Sequence, residues 1–293
     1  MFKIAASALA LFSSIMGCNP TPPPAVPEMK AWAFCGVNPA DPLAQRKANS
    51  LARDAGIDAT FGPCLPPPAN YTTANPGARY ANPDQYLALT VINANAGMKT
   101  IVYDARIWSD DPAIRQTAID FWLPHVAWVE AWDMGDEFDP SYSDWALLVH
   151  RWRIVRENVS PVTGIQPFTN HLGSAGVLEQ ALVDLPGSER LLSYDAYPEV
   201  KGRMEASLAL AAQFAPRVER LMCAINALPH GQFRPSTASI RRHVADHRAA
   251  GCDALLVFGG ETPINTPGFG TPSLVRSDGR PTSLAQAMRL ASK

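Results

Sequence analysis

From residue 30 onward, short apolar runs with strand character alternate with helical stretches eight times, and this repetition leaves few folds open. The strand-like runs are 30–37 (KAWAFCGV), 57–62 (IDATFG), 99–105 (KTIVYDA), 128–134 (WVEAWDM), 162–168 (VTGIQPF), 190–195 (RLLSYD), 220–227 (RLMCAINA) and 253–259 (DALLVFG). Each is short and bounded by Gly, Pro, Asn or Asp, which end strands and begin turns. Helical stretches lie near 41–55, 83–96, 111–122, 141–157, 174–184, 203–215, 236–250 and 282–292. Pro112 and Pro235 fall where the first turn of a helix tolerates proline. Strict alternation calls for a parallel sheet with helical crossovers, an α/β architecture. Eight units in about 260 residues is the size of a (β/α)8, or TIM, barrel. A doubly wound open sheet is the competitor, but no Gly-rich phosphate loop follows the first run.

Composition supports a folded chain and removes some partners. Hydrophobic residues make up 47% of the 293, enough to offset the entropy of ordering. Lys+Arg number 25 against Asp+Glu 27, a net charge of -2, so there is no basic footprint for nucleic acid.

The N-terminus reads as an address. Met1-Phe2-Lys3 is a short basic start, and Ile4 to Met16 is an uncharged apolar and small-residue run. It is too short to span a bilayer, which takes about 20 apolar residues, and it fits the core of a secretory signal. Ile15-Met16-Gly17-Cys18 resembles a bacterial lipobox, in which cleavage precedes the cysteine and the thiol carries the lipid. An ordinary signal peptide with a chance cysteine is the alternative. Residues 1–17 are thus expected to be a signal, 18–29 a proline-rich spacer, and 30–293 the barrel domain. The expected location is the cell envelope, outside the cytoplasm, with a lipid anchor to the membrane.

In an oxidising compartment the remaining cysteines, Cys35, Cys64, Cys223 and Cys252, allow three pairings. Cys35 falls late in the first run and Cys64 just after the second, near one rim. Cys223 falls early in the seventh and Cys252 just before the eighth, near the other. The expected pairs are Cys35–Cys64 and Cys223–Cys252, with free buried thiols as the alternative. No close CxxC pair starts a zinc site, and no metal or cofactor is expected.

The C-terminal ends of barrel strands form the mouth where chemistry is done. Those positions hold Asp104, Arg106 and Trp108 after the third run, and Asp133, Asp136 and Glu137 after the fourth. Asn170 and His171 follow the fifth, and Tyr194, Asp195 and Tyr197 close the sixth. Asn226 and His230 follow the seventh, and Glu261 the eighth. Carboxylates on different strands with aromatic residues nearby suit glycoside hydrolysis: one carboxyl protonates the leaving oxygen, and another attacks or activates water.

Trp132-Asp133-Met134-Gly135-Asp136-Glu137-Phe138 resembles the strand-4 motif of (β/α)8 glycoside hydrolases, where a Gly-Asp-Glu or Asn-Glu carries the acid/base glutamate. Ser193-Tyr194-Asp195-Ala196-Tyr197-Pro198 resembles their strand-6 Asp-x-Tyr-Pro segment. Arg234-Pro235-Ser236, Ile240-Arg241 and Gly251 to Phe258 resemble the passage into their last strand. The resemblance implies that Glu137 is the general acid. The chain departs from the pattern near Asn226 and Leu228, where the superfamily's nucleophilic glutamate would stand; the second role then moves to Asp195 or Glu261.

Plainer readings compete. Alternation puts Asp133 on one face with Ala131, Gly135 and Glu137, so it would be buried and paired. Asp104-Ala105-Arg106 reads as an ion pair, and Asp195 could brace Arg106. His243 and His247, four apart on a predicted helix, read as solvated surface. The long 63–82 loop is expected to wall one side of the cleft. Three functions follow: an anchored glycoside hydrolase, a carbohydrate-binding pseudo-enzyme, or a partner-binding scaffold. A monomer acting on a carbohydrate substrate is expected.

Overall fold

The computed structural model describes residues 29–33, 53, 56–61, 82–135, 140–141, 144–195, 203–226, 236–258, 283 and 286. Its strands are β1 (Lys30–Ala33), β2 (Ala59–Phe61), β3 (Lys99–Val102), β4 (Val129–Asp133), β5 (Pro167–Phe168), β6 (His171–Leu172), β7 (Leu192–Asp195), β8 (Leu221–Asn226) and β9 (Ala254–Phe258). The helices are α1 (Pro83–Asn95), α2 (Pro112–Trp122), α3 (Trp145–Ile154), α4 (Ser160–Thr163), α5 (Ala175–Asp184), α6 (Arg203–Phe214) and α7 (Thr237–Ala249). Every strand pairing is parallel, in the order β5-β4-β3-β2-β1-β9-β8-β7-β6. The two edge strands belong to one short segment. Pro167–Phe168 pairs with β4 and His171–Leu172 with β7, so both edges meet within six residues. The curled sheet with its helices is a TIM barrel, as the alternation implied.

Local chemistry sets the helix starts. Asn82 and Gln85 form a reciprocal capping box before α1, with Pro83 at the first helical position. The Asp111 carboxylate accepts from the Ala113 N–H at 2.8 Å to open α2. Ser174 and Ser236 cap α5 and α7.

Side-chain alternation sorts the core into two layers. Facing the barrel axis are Trp32, Ala59, Phe61, Ile101, Ala131, Phe168, Met222, Ala224, Ala254 and Leu256. Facing the helices are Ala31, Val102, Trp132, Leu192, Tyr194, Cys223, Leu255 and Val257, with the helices' own apolar stripes. One extra residue, Glu130, sits in β4 where the register shifts between Thr100 and Ile101; it lets Val129 and Ala131 face opposite ways. Between the layers, the buried Asn93 amide on α1 donates to Thr60 Oγ1 (2.9 Å), Thr100 Oγ1 (2.8 Å) and the Lys99 carbonyl (3.2 Å). That clamp fixes α1 across β2 and β3.

Cys223 and Cys252 form a disulfide between the start of β8 and the residues before β9, with Cα atoms 6.0 Å apart, as expected. Cys35 and Cys64 lie outside the described residues. No described helix is long and apolar enough to cross a membrane.

Two expectations need correction. The run 162–168 is not one strand: Ser160–Thr163 is helical, the last turn of a stretch that runs on from α3 through Val155–Val159 and ends at Gly164 with φ 75°, and the strand begins at Pro167. His243 and His247 are not solvated. With Ile240 and Val244 they form the buried stripe of α7, and His247 Nδ1 donates to the His243 carbonyl at 2.7 Å. Its Nε2 then accepts from Ser207 Oγ at 3.1 Å, across from α6.

Three rings close the axial core: Trp32–Phe168 at 5.1 Å, Phe61–Phe168 at 5.6 Å and Trp32–Phe61 at 6.3 Å between centroids. Phe168→Ala should cost about 3–5 kcal/mol of unfolding free energy, because the ring lies in the segment that joins both sheet edges. Urea melts of the two proteins check this; a loss under about 1 kcal/mol would show that the edges close without the ring.

Candidate active site

Alternation decides which polar residues reach the barrel axis. Asp133 ends β4 in register with the axial Phe168, and its Oδ1 accepts from the Gly135 N–H at 3.0 Å. It is fully buried. Gly135 takes φ 130°, a conformation that other residues rarely adopt, and leads the chain directly into Asp136 and Glu137. Thr169 Oγ1 donates to the Gly135 carbonyl at 3.0 Å and ties this turn to the β5–β6 segment. Ser193 in β7, in register with the axial Met222, donates to Asn170 Oδ1 at 2.8 Å. Asp195 ends β7 two residues further on the same face and is nearly buried. Asn226 ends β8 in register with Phe258. The C-terminal end of the axis therefore carries two carboxylates, Asp133 and Asp195, with Asn170 and Ser193 beside them.

Five other candidates face the helices. Asp104 shares its face with Thr100 and Val102, and its carboxylate accepts from Trp122 Nε1 at 2.9 Å. Arg106 donates to it through Nη2 at 2.7 Å, Nε at 3.0 Å and its own backbone N–H at 3.1 Å. Asp104 raises the Arg106 pKa through this hydrogen bonding, and the guanidinium lies 5.1 Å from the Phe121 ring centre. The ion pair caps the turn Ala105–Trp108; Asp195 is not the carboxylate that braces Arg106. Trp108 is buried on that turn, edge-on to Tyr103 at 5.1 Å. Tyr194 donates its hydroxyl to the Ser207 carbonyl at 2.7 Å, and burial pushes its pKa up to about 12.

His171 is the fifth. In register with Tyr194, it lies against Trp145 of α3 with ring centres 6.1 Å apart. Burial lowers its pKa to about 3, and Nδ1 has no hydrogen-bond partner. It is held neutral. The remaining candidates, Asp136, Glu137, Tyr197, His230 and Glu261, lie outside the described residues, as does most of the 63–82 loop. Among the described residues no group of His, Cys, Asp and Glu could hold a metal ion. Reading single positions missed Ser193 and Thr169, although the axial face of each strand was legible from its apolar neighbours.

The arrangement can bind hydroxyl-rich molecules and move protons through carboxylates. No protein-family model matches the chain, and no curated protein matches it. Solved structures do resemble it. An exo-β-1,4-mannosidase from Opitutaceae bacterium strain TAV5 is 12% identical over 90% of this chain, with a TM-score of 0.59. This chain spans 59% of that mannosidase, less than two thirds of its length. A family 39 glycoside hydrolase from Bacteroides cellulosilyticus WH2 is 14% identical, covering 90% of this chain and 63% of its own, with a TM-score of 0.56. A thermostable mutant of a xylanase from Cellvibrio japonicus is 11% identical, covering 91% of this chain and 98% of its own, with a TM-score of 0.55. At these identities the likeness shows the fold: a TIM barrel of the kind that glycosidases use.

The buried histidines give the fold a pH dependence. Burial lowers the pKa of His171 to about 3 and of His243 to about 4, the latter helped by His247 and Arg242, and it lowers that of His247 as well. An unfolded histidine titrates near 6.5, so the unfolded chain takes up protons first. Stability should be full above about pH 6.5 and fall toward pH 4, by up to about 1.4 kcal/mol per pH unit for each histidine. Urea midpoints measured near pH 7 and near pH 4.5 test this, and His171→Leu should shrink the difference. Equal midpoints in the wild type would contradict it.

Proposed function

We propose that the protein is a lipid-anchored, extracytoplasmic glycoside hydrolase that cleaves a polysaccharide or glycan by carboxylate acid/base catalysis. One observation carries the reading: Asp133 and Asp195 end strands on the axial face of a glycosidase-like barrel, and the Asp133 turn runs through Gly135 into Asp136-Glu137. Glu137 is the general acid that protonates the leaving oxygen. Asp195 or Glu261 supplies the second carboxylate, which activates water or attacks the anomeric carbon. Asp136 and Asn226 hold sugar hydroxyls, the buried Asp133 and Asn170 position the turns beneath them, and Tyr197 and His230 complete the mouth. Folds of this kind serving a mannosidase, a xylanase and a family 39 hydrolase support a carbohydrate substrate.

β8 ends in Asn226 where the superfamily's nucleophile would stand, which favours inversion: two carboxyls roughly 6.5–9.5 Å apart with water between them. The same asparagine supports a second reading, a carbohydrate-binding pseudo-enzyme. The anchor is read from Gly17-Cys18 and the proline-rich spacer, and the chain works as a monomer.

Glu137→Gln keeps shape and hydrogen bonding but removes the proton, so hydrolysis of the natural substrate should fall by roughly 10²–10⁴-fold. Aryl glycosides with good leaving groups should lose far less, and sugar binding should persist. Full activity of Glu137→Gln on the natural substrate would end the assignment.

A further inference from the structure

The strands run parallel, so the barrel has one rim at strand starts and another at strand ends. Among the described residues, exposed large apolar side chains gather at the rim of strand starts. Of the seven among the described residues, Ile114 and Leu147 lie in the first turns of α2 and α3, near strand ends. The other five gather at the opposite rim. Val91 is near the end of α1 and Val183 near the end of α5; Val162 is in α4, just before β5. Leu123 and Trp128 bracket the turn Leu-Pro-His-Val-Ala-Trp that enters β4, and α1 packs beside it. They are 44% and 41% exposed, and Pro124 and Ala127 between them are exposed too.

We infer that this N-terminal rim, centred on Leu123–Trp128, rests on the lipid bilayer and points the mouth away from the membrane. The inference builds on the anchoring reading. β1 starts at this same rim, and Cys18 stands eleven residues before Met29 in the sequence. Even fully extended, eleven residues reach about 40 Å, so a lipid at Cys18 keeps the rim near the surface. Such a tether gives weak contacts a high effective concentration. The chemistry suits the bilayer interface: tryptophan offers an apolar body with a polar N–H, and it is favoured at headgroup level. Lys30 and Lys99 share one carboxylate, Glu130, at 3.8 and 3.0 Å, and the exposed Asp120 offsets the remaining charge, so the contact rests on the apolar side chains.

The tryptophans make this measurable. Six of the seven, Trp32, Trp108, Trp122, Trp132, Trp145 and Trp152, are no more than 7% exposed, so contact quenching reports Trp128. The described fold begins at Met29, and a chain starting at Cys18 contains all of it. That chain, tagged with histidines ahead of residue 18, is held on phosphatidylcholine–phosphatidylglycerol vesicles bearing a nickel-chelating lipid and nitroxide-labelled phosphatidylcholine. Tryptophan emission should be quenched in the wild type and the quenching lost in Trp128→Phe. Leu123→Ser, which leaves the fluorophore in place, should reduce it. Unquenched emission from fully bound protein would overturn the proposal. So would a concentration-dependent dimer, in sedimentation, that Trp128→Phe abolishes, since a second copy would then cover the patch. The anchor is judged separately, in cells: Cys18→Ala should leave the membrane fraction or accumulate as precursor. If it stays membrane-bound while the vesicle result holds, the lipobox reading fails and the rim assignment stands.

Discussion

Trp32, Phe61 and Phe168 fill the barrel axis edge to face, and Phe168 lies in the segment that both edges of the sheet share. A parallel sheet of short strands has no hairpins to hold its ends together, so closure depends on what the axial side chains can bury. Once Phe168 is fixed, Asp133 opposite it in β4 is fixed too, and the Thr169–Gly135 bond follows one residue later. Packing at the centre thus determines where the carboxylates emerge. The mouth inherits its geometry from an apolar contact below it.

The helix side carries a polar load of its own, and it is nearly all paired. Asp104 gathers donors from Arg106 and Trp122, Tyr194 reaches the Ser207 carbonyl, and His247 bridges Ser207 and the His243 carbonyl. Unpaired polar groups there would each cost about 1–3 kcal/mol, so these bonds hold helices in place. His171, neutral against Trp145 with an unpartnered Nδ1, and Trp132, whose Nε1 has no partner, are exceptions. These residues look like site residues when only their place after a strand is counted. The face that they occupy separates them from Asp133, Asn170 and Asp195.

Much of the fold was legible. Helices expected at 83–96, 111–122 and 174–184 start and stop within about a residue or two, because Asn82, Asp111 and Ser174 announce their first turns. The run 162–168 misled because Val162 and Thr163 are β-branched, and Gly164, which falls inside the run, ends a helix. α7 misled through its arginines and histidines; yet Ile240, His243, Val244 and His247 fall at i, i+3, i+4 and i+7, the spacing of a buried stripe. The orientation of Asp104 was also readable from Thr100 and Val102. What alternation does not supply is distance between side chains on different strands, which depends on barrel closure.

The central claim is that these axial carboxylates belong to a working hydrolase rather than to a barrel that only binds sugar. A panel of plant, microbial and host glycans, incubated with the purified protein and assayed for new reducing ends, tests it most directly. The account requires release from at least one glycan, dependent on Glu137. Saturable binding of a glycan with no reducing ends released across the panel would contradict it and leave the pseudo-enzyme reading in its place.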